Sequence, residues 1–216
     1  MQRKSPIDPR VLALLVVLAV IAGGVALLTV GGSSGSPKRA KANNASFAAA
    51  GLLTPVRAAP PLTLRNYLGQ RVNIASYRGK AVLVTFLYTH CPDVCPLIAS
   101  NLRVAQNLIG PAKAAKMEII AVSVDPRGDT RKAVAAFLSQ HQMTGRMQYL
   151  IGSRAELARV WKAWGVGSQR DAQQPQFINH DGLIYGVTAS GKRLTIYASS
   201  FQPRDIVHDV PLLAAR

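Results

Sequence analysis

The sequence predicts an α/β layer fold with a mixed central sheet flanked by helices, preceded by one N-terminal transmembrane helix. Three observations carry that prediction. Near-continuous apolar runs of strand length, such as Ala81–Leu87 and Met117–Val124, are spaced along the chain. They alternate with segments of helical periodicity that carry cap signals, and strand–helix alternation ending in a hairpin and a helix implies a mixed sheet. Val11–Val30, finally, is a twenty-residue stretch without a charge.

That stretch reads VLALLVVLAVIAGGVALLTV, and at about 1.5 Å per residue it spans roughly 30 Å, the hydrocarbon thickness. Arg3, Lys4 and Arg10 precede it and favour a cytoplasmic tail over residues 1–10, with the rest of the chain exported. Lys38, Arg39 and Lys41 follow it and oppose that orientation, but they stand back behind Gly31–Ser36. A cleavable signal peptide is the alternative, with a shorter apolar region and a small-residue cleavage site. Gly23–Gly24 interrupts the run without such a site close behind, and no cysteine follows to take a lipid. A retained single-pass anchor over residues 11–30 is therefore expected, placing the protein in the cell membrane with its C-terminal domain on the extracytoplasmic side.

Residues 31–59, rich in Gly, Ser, Ala and Asn, read as a flexible linker, so the domain is expected over residues 60–216. Leu62–Leu64 and Val72–Ile74 suggest a hairpin leading through Arg78-Gly79-Lys80 to the buried strand Ala81–Leu87. Thr89–Pro96 is a turn, and Leu97–Ile109 a helix closed by Gly110-Pro111. The strand Met117–Val124 precedes a helix from Thr130 to Gln140, capped by Thr130 or Asp129. After the strand Met147–Ile151, Ser153 caps a helix through Trp164, with Glu156 completing a capping box. Gln176–Asn179, Leu183–Ala189 and Arg193–Ala198 read as strands, the last two joined around Ser190-Gly191-Lys192, and Pro203–Leu213 as a final helix. About 155 residues bury a sufficient core without disulfides.

Composition excludes several functions. With 49% hydrophobic and 17% charged residues the chain is neither disordered nor low-complexity. Its 26 Lys and Arg against 10 Asp and Glu leave +16, but the excess is spread along the chain without a basic run. Aromatics are 6% and are not interleaved with basic residues, so no nucleic-acid partner is expected. The charge reads as a basic solvated surface, or as a face for an acidic protein or an anionic membrane.

The two cysteines rule out both a stapled mini-fold and a four-cysteine zinc site. They lie in Tyr88-Thr-His-Cys91-Pro-Asp-Val-Cys95-Pro96, after a buried strand and opening a helix, where backbone N–H groups and the helix dipole stabilise thiolates. At i and i+4 they can bridge each other or converge on one atom, as a redox couple or as two soft metal ligands. Inert core cysteines are the plainer reading, and a stabilising disulfide across so short a loop constrains the unfolded chain little.

Gly79-Lys80-Ala-Val-Leu-Val-Thr-Phe-Leu-Tyr-Thr-His-Cys-Pro-Asp-Val-Cys-Pro resembles the Sco/SenC family of thioredoxin-fold copper chaperones for cytochrome c oxidase assembly. Val124-Asp125-Pro126-Arg-Gly-Asp129-Thr130 is similar to that family's Asp-Pro-x-x-Asp-Thr segment. Asn179-His180, followed by Tyr185 and the turn at Gly191, is similar to its third signature. The resemblance runs over roughly residues 60–213 in order; it departs at Val187-Thr-Ala-Ser-Gly191, where the family often has Asp-Pro. It implies a thioredoxin-like fold and one copper ion held by Cys91, Cys95 and His180. Thiolates suit Cu(I) and imidazole tolerates Cu(I) or Cu(II), so the donor set matches either state.

The implied function is an anchored copper-binding protein that delivers copper to the binuclear site of cytochrome c oxidase. Its partners would be the oxidase's copper-bearing subunit, an upstream copper donor and, through the N-terminal helix, the membrane. A second reading makes Cys91 and Cys95 the catalytic redox pair of a thiol–disulfide oxidoreductase that reduces the oxidase's copper-site cysteines, and a third a redox sensor using the same pair. A peroxiredoxin-type peroxidase is disfavoured, because Tyr88 and not threonine lies three residues before Cys91.

The remaining candidates have plainer readings. His90 is expected to point away from the metal, and His141 and His208 to be exposed. Met117, Met143 and Met147 read as core filler or surface, Trp161 and Trp164 as packing. Asp93 suits the helix N-terminus or the steering of a partner, while Asp125 and Asp129 suit turn formation and helix capping.

Overall fold

The computed structural model describes residues 47–170, 172–173 and 178–216. The expected tail, the anchor Val11–Val30 and residues 31–46 of the linker lie outside them. Among the described residues no helix is long and apolar enough to cross a membrane.

The strands are β1 (Gly51–Ala58), β2 (Thr63–Asn66), β3 (Arg71–Asn73), β4 (Ala81–Leu87), β5 (Met117–Ser123) and β6 (Gln148–Ile151). They continue with β7 (Gln169–Arg170), β8 (Ile178–Asn179), β9 (Ile184–Val187) and β10 (Lys192–Tyr197). The helices are α1 (Val94–Ile109), α2 (Pro111–Ala114), α3 (Arg131–Gln140), α4 (Arg154–Trp164) and α5 (Pro203–Ala214), and a 3-10 turn covers Ile74–Tyr77.

Eight strands form one mixed sheet in the order β1-β10-β9-β4-β5-β6-β2-β3. β4, β5 and β6 are parallel, joined through α1 and α3, and their neighbours on either side are antiparallel. β7 and β8 pair separately. Every residue of β4 is buried, as a central strand covered on both faces requires. Alternate side chains show what covers it: Phe86 and Tyr185 meet Trp164 of α4, while the Cα of Gly186 faces Leu213 of α5. Burying a side chain such as Leu83 or Phe86 contributes about 1.5–3 kcal/mol relative to exposure.

The mixed α/β architecture agrees with the sequence reading, and two local differences have physical causes. The last part of the expected linker is not linker: Gly51–Ala58 forms the edge strand β1, antiparallel to β10. Its outer half is exposed and it contains Pro55, which an edge strand tolerates because one side needs no donor. Just before it, the N–H groups of Ala48 and Ala49 donate to the wholly buried Asp209 carboxylate of α5 at 2.7 and 2.9 Å, where the Tyr197 hydroxyl also donates at 2.9 Å. Helix α1, in turn, begins three residues earlier than expected. Asp93 accepts from the Val94 N–H, and Pro96 fits within the first turn, where no intrahelical donor is needed.

At α4 the capping box is present as expected, with Ser153 and Glu156 bonding each other's backbone N–H, and Gly165 at φ 72° takes the left-handed C-cap. Thr130, not Asp129, caps α3 through the Ala133 N–H.

Candidate metal centre

Because β4, β5 and β6 are parallel, the loops that follow them leave the sheet at one end, the usual position for a site in an open α/β sheet. The loop after β4 carries Cys91, the loop after β5 carries Asp125–Asp129, and the loop after β6 leads to Ser153 and α4.

Both cysteines are reduced and buried, Cys91 at 5% exposure and Cys95 at 0%. The Cys91 N–H bonds the Tyr88 carbonyl at 3.3 Å, turning the chain so that the Cys91 Sγ accepts the Cys95 N–H at 3.3 Å. The Cys95 thiol donating to it, helped by that backbone N–H, holds the Cys91 thiol down to about 6, against burial, which acts the other way. The same contact and burial push the Cys95 thiol well above its ordinary value. The pair therefore gives up its first proton readily and its second reluctantly, so a cation binding both sulfurs must displace that second proton.

His180 follows β8, partly buried, with Nδ1 at 3.2 Å from the Asp181 carbonyl oxygen. A carbonyl only accepts, so Nδ1 carries the proton and Nε2 keeps its lone pair. Burial holds the imidazole below its ordinary value, opposed by Asp181, and so favours the neutral ring that a metal needs. His180 and Cys91 line one open cleft of about 640 Å³, together with Tyr88, Asp93 and Ile178, while Cys95 stands behind Cys91. Among the described residues no three His, Cys, Asp or Glu side chains are gathered closely enough to hold a metal. The cysteine and histidine segments thus share a cleft without closing on a common point.

Tyr88 joins those segments. Its buried ring lies edge-on to His180 at 5.7 Å between centroids, and its hydroxyl accepts the Ile178 N–H at 3.5 Å. Burial pushes its phenol up to about 12, so it stays a neutral wall. Sequence reasoning assigned Tyr88 no such part; its position beside the Cys91 turn was the available signal.

Asp129 corrects a second expectation. It does not cap α3, and beyond closing the turn on the Asp125 carbonyl through its N–H at 2.9 Å it is a buried carboxylate that accepts four bonds. Oδ1 takes the Thr89 N–H and hydroxyl, both at 2.8 Å; Oδ2 takes the Ser123 hydroxyl at 2.6 Å and the Tyr149 hydroxyl at 3.0 Å. Burial pushes its carboxyl up, while those four donors pull it down. It ties the residue two before Cys91 to β5 and β6. Asp125 does form the expected turn, accepting the Arg127 N–H at 3.2 Å. At Gly128 an added Cβ would collide with Asp125 and meet His90 Nδ1 at 3.0 Å, so this turn lies directly against the residue preceding Cys91.

Other candidates fall as follows. His90 is exposed, its Nδ1 3.2 Å from the Thr89 hydroxyl, and it does not line the cleft. His208 is exposed but pairs with Asp209 at 2.7 Å. His141 is not fully exposed as expected: it stands half-buried against the Phe137 ring. Met117, Met143 and Met147 are core filler, Trp164 packs in the core, and Trp161 Nε1 donates to the Ser123 carbonyl at 2.9 Å.

The family model described as SCO1/SenC matches residues 53–215. The curated "Protein SCO1 homolog, mitochondrial" of Homo sapiens is 24% identical over 154 residues, 69% of this chain and 50% of its own length. The chain spans about half the length of the human and mouse relatives it matches. Among solved structures, Bradyrhizobium japonicum ScoI with copper bound is 29% identical at a TM-score of 0.60, over 73% of this chain and 99% of that one. A structure of BsSco is 25% identical at a TM-score of 0.62, over 74% and 95% of the two chains. It is described as identifying a disulfide switch in a member of the Sco family of cytochrome c oxidase assembly proteins.

Proposed function

Because the chain belongs to the SCO1/SenC family, we propose that it carries copper and delivers one ion to the copper-bearing subunit of cytochrome c oxidase during assembly. The observation that carries this reading is the shared cleft: an acidic thiol, backed by a second thiol, and a neutral imidazole from a segment 85 residues later face one cleft at one end of the sheet. Two soft sulfurs and one nitrogen suit Cu(I), and the nitrogen lets the same site tolerate Cu(II). The relative described with copper bound shares the fold over 99% of its length.

Cys91 Sγ, Cys95 Sγ and His180 Nε2 are the donors, with closure of the His180 segment onto the thiols completing the set. Tyr88 guides that closure, and the Asp129 clamp keeps the cysteine turn in place. Residues 11–30 hold the domain at the membrane, on the extracytoplasmic side, where an oxidase subunit would be met.

The thiol–disulfide reading stands second, on the acidity of Cys91 and on the disulfide switch described for BsSco. In that chemistry Cys91 attacks a partner disulfide and Cys95 resolves the mixed disulfide, two electrons passing to the partner's sulfurs. One experiment separates the two. Titrating the reduced chain with Cu(I), wild type against Cys91→Ala, Cys95→Ala and His180→Ala, should give one ion per wild-type chain and weakened binding in each variant. Wild-type stoichiometry near zero, or tight binding in all three variants, refutes the site. Oxidase assembly that survives His180→Ala but not Cys91→Ala supports the thiol reading instead.

A further inference from the structure

We propose that a groove beside the thiol cleft, lined by Arg127 and Arg154, docks an acidic segment of the protein that exchanges copper with Cys91 and Cys95. The proposal rests on the copper-exchange reading above, and adds to it the chemistry by which the partner is recognised. The groove holds about 590 Å³ and shares Gln169 and Ile178 with the cleft, so the two form one continuous track. Arg127 comes from the loop after β5, and Arg154 is the first residue of α4 after β6. The parallel strands therefore deliver both to the end of the sheet that carries the cysteines. The close approach of Gly128 to His90 sets the Arg127 turn directly against the Cys91 turn.

Both arginines are exposed, and neither side chain makes an ion pair or hydrogen bond to a described residue; the single ion pair among the described residues joins His208 and Asp209. Among the described residues the one carboxylate lining the groove, Asp125, is buried and engaged with its own loop through the Arg127 N–H. The groove is thus cationic, while the cleft next to it carries Asp93 and Asp181. A partner that fits this track sets its thiols at the cleft and a carboxylate-bearing segment in the groove, where two guanidinium forks match carboxylates geometrically. Complementary charge of this kind raises the encounter rate and fixes the register more than it adds affinity. The exchange itself balances without electron transfer. Cu(I) leaves the thiolates of Cys91 and Cys95 for two partner thiols, and the two protons those thiols release return to Cys91 and Cys95.

The test uses the full chain in neutral detergent, wild type and the double variant Arg127→Glu/Arg154→Glu, under reducing conditions. Two synthetic peptides share a Cys-x-x-x-Cys core, one continuing into four glutamates and the other into four glutamines. Metal-free binding is measured first, by fluorescence anisotropy, and then the rate of Cu(I) transfer from the loaded chain. The glutamate peptide should bind and accept copper about tenfold better than its neutral twin at low salt. That preference should collapse near 0.5 M salt, where the Debye length is a few ångströms, and vanish in the double variant, whose copper stoichiometry stays that of wild type. Equal binding of the two peptides by wild type overturns the proposal, whether or not the chain holds copper. A preference for glutamate in a chain that holds no copper would instead keep the groove and refute the copper reading. Slowing of both peptides alike in the double variant shows a disturbed copper site and overturns docking. Arginine-dependent binding of soluble dihexanoyl phosphatidylglycerol, with indifference to the glutamate run, assigns the groove to lipid and likewise overturns it.

Discussion

Asp129→Ala removes the acceptor of four donors in the layer beneath the cysteine turn. One of them has somewhere else to turn: the Thr89 hydroxyl lies 3.2 Å from His90 Nδ1, which can accept it. The Thr89 N–H and the wholly buried Ser123 and Tyr149 hydroxyls have no second acceptor among the described residues, since the bond Ser123 makes with the Asp125 N–H uses its oxygen, not its proton. An orphaned buried donor costs about 1–3 kcal/mol, so three give roughly 3–9 kcal/mol. Removing the desolvated carboxylate returns part of this, which leaves a net loss of about 2–4 kcal/mol. With a urea slope near 2 kcal/mol/M for a domain of this size, the unfolding midpoint should fall by about 1–2 M. Equilibrium unfolding of the reduced chain, followed by near-UV circular dichroism, measures it. A cycle with Tyr149→Phe should show coupling of about 1–2 kcal/mol, because both changes break one bond. A midpoint shift under 0.3 M, or additivity of the two variants, would refute the clamp.

Three further outcomes are expected. Alkylation of the reduced chain by iodoacetamide should follow a first midpoint near pH 6, set by Cys91, against the ordinary 9.0; a single midpoint above 8 would remove the Cys95-to-Cys91 contact as its cause. Since the folded value lies below the unfolded one, this ionisation favours the folded chain above pH 9, and that contribution fades as pH falls toward 6. Gly128→Ala should destabilise the chain by about 1–3 kcal/mol through overpacking against Asp125 and His90; melting unchanged from wild type would show that the turn has room to give. Asp209→Ala frees the N–H groups of Ala48 and Ala49 and orphans the Tyr197 hydroxyl. Limited proteolysis should then cut within residues 47–50 at least tenfold faster, and unchanged protection would mean that β1 pairing alone holds the segment.

Much of the fold was legible because local patterns and global packing agree. The unbroken apolar run of β4, the Ser153–Glu156 box and the apolar spacing of α5 each name their element without tertiary help. β1 was not legible, since an edge strand that is half exposed and contains proline carries no alternation, and only β10 gives it a reason to be extended. The site divides in the same way. Cys91 and Cys95 could be read from one nonapeptide, because a strand-to-helix turn places i and i+4 side chains together whatever lies around them.

His180 is different: only resemblance tied it to a motif 85 residues earlier, and the packing of β8 against the Tyr88 ring is what brings it to the cleft. Asp129 and the two arginines of the groove lay beyond sequence reasoning for a further reason. A local reading assigns an aspartate before a helix to capping and an exposed arginine to solvent. Whether a carboxylate is buried, or two cations face one groove, depends on which strands are neighbours. Sequence by itself therefore determined most of the elements and the cysteine turn with its range of chemistry, all set by contacts within a few residues. Tertiary structure alone decided what the turn is held by and what lies beside it, because parallel pairing of β4, β5 and β6 gathers three loops distant in sequence at one end of the sheet.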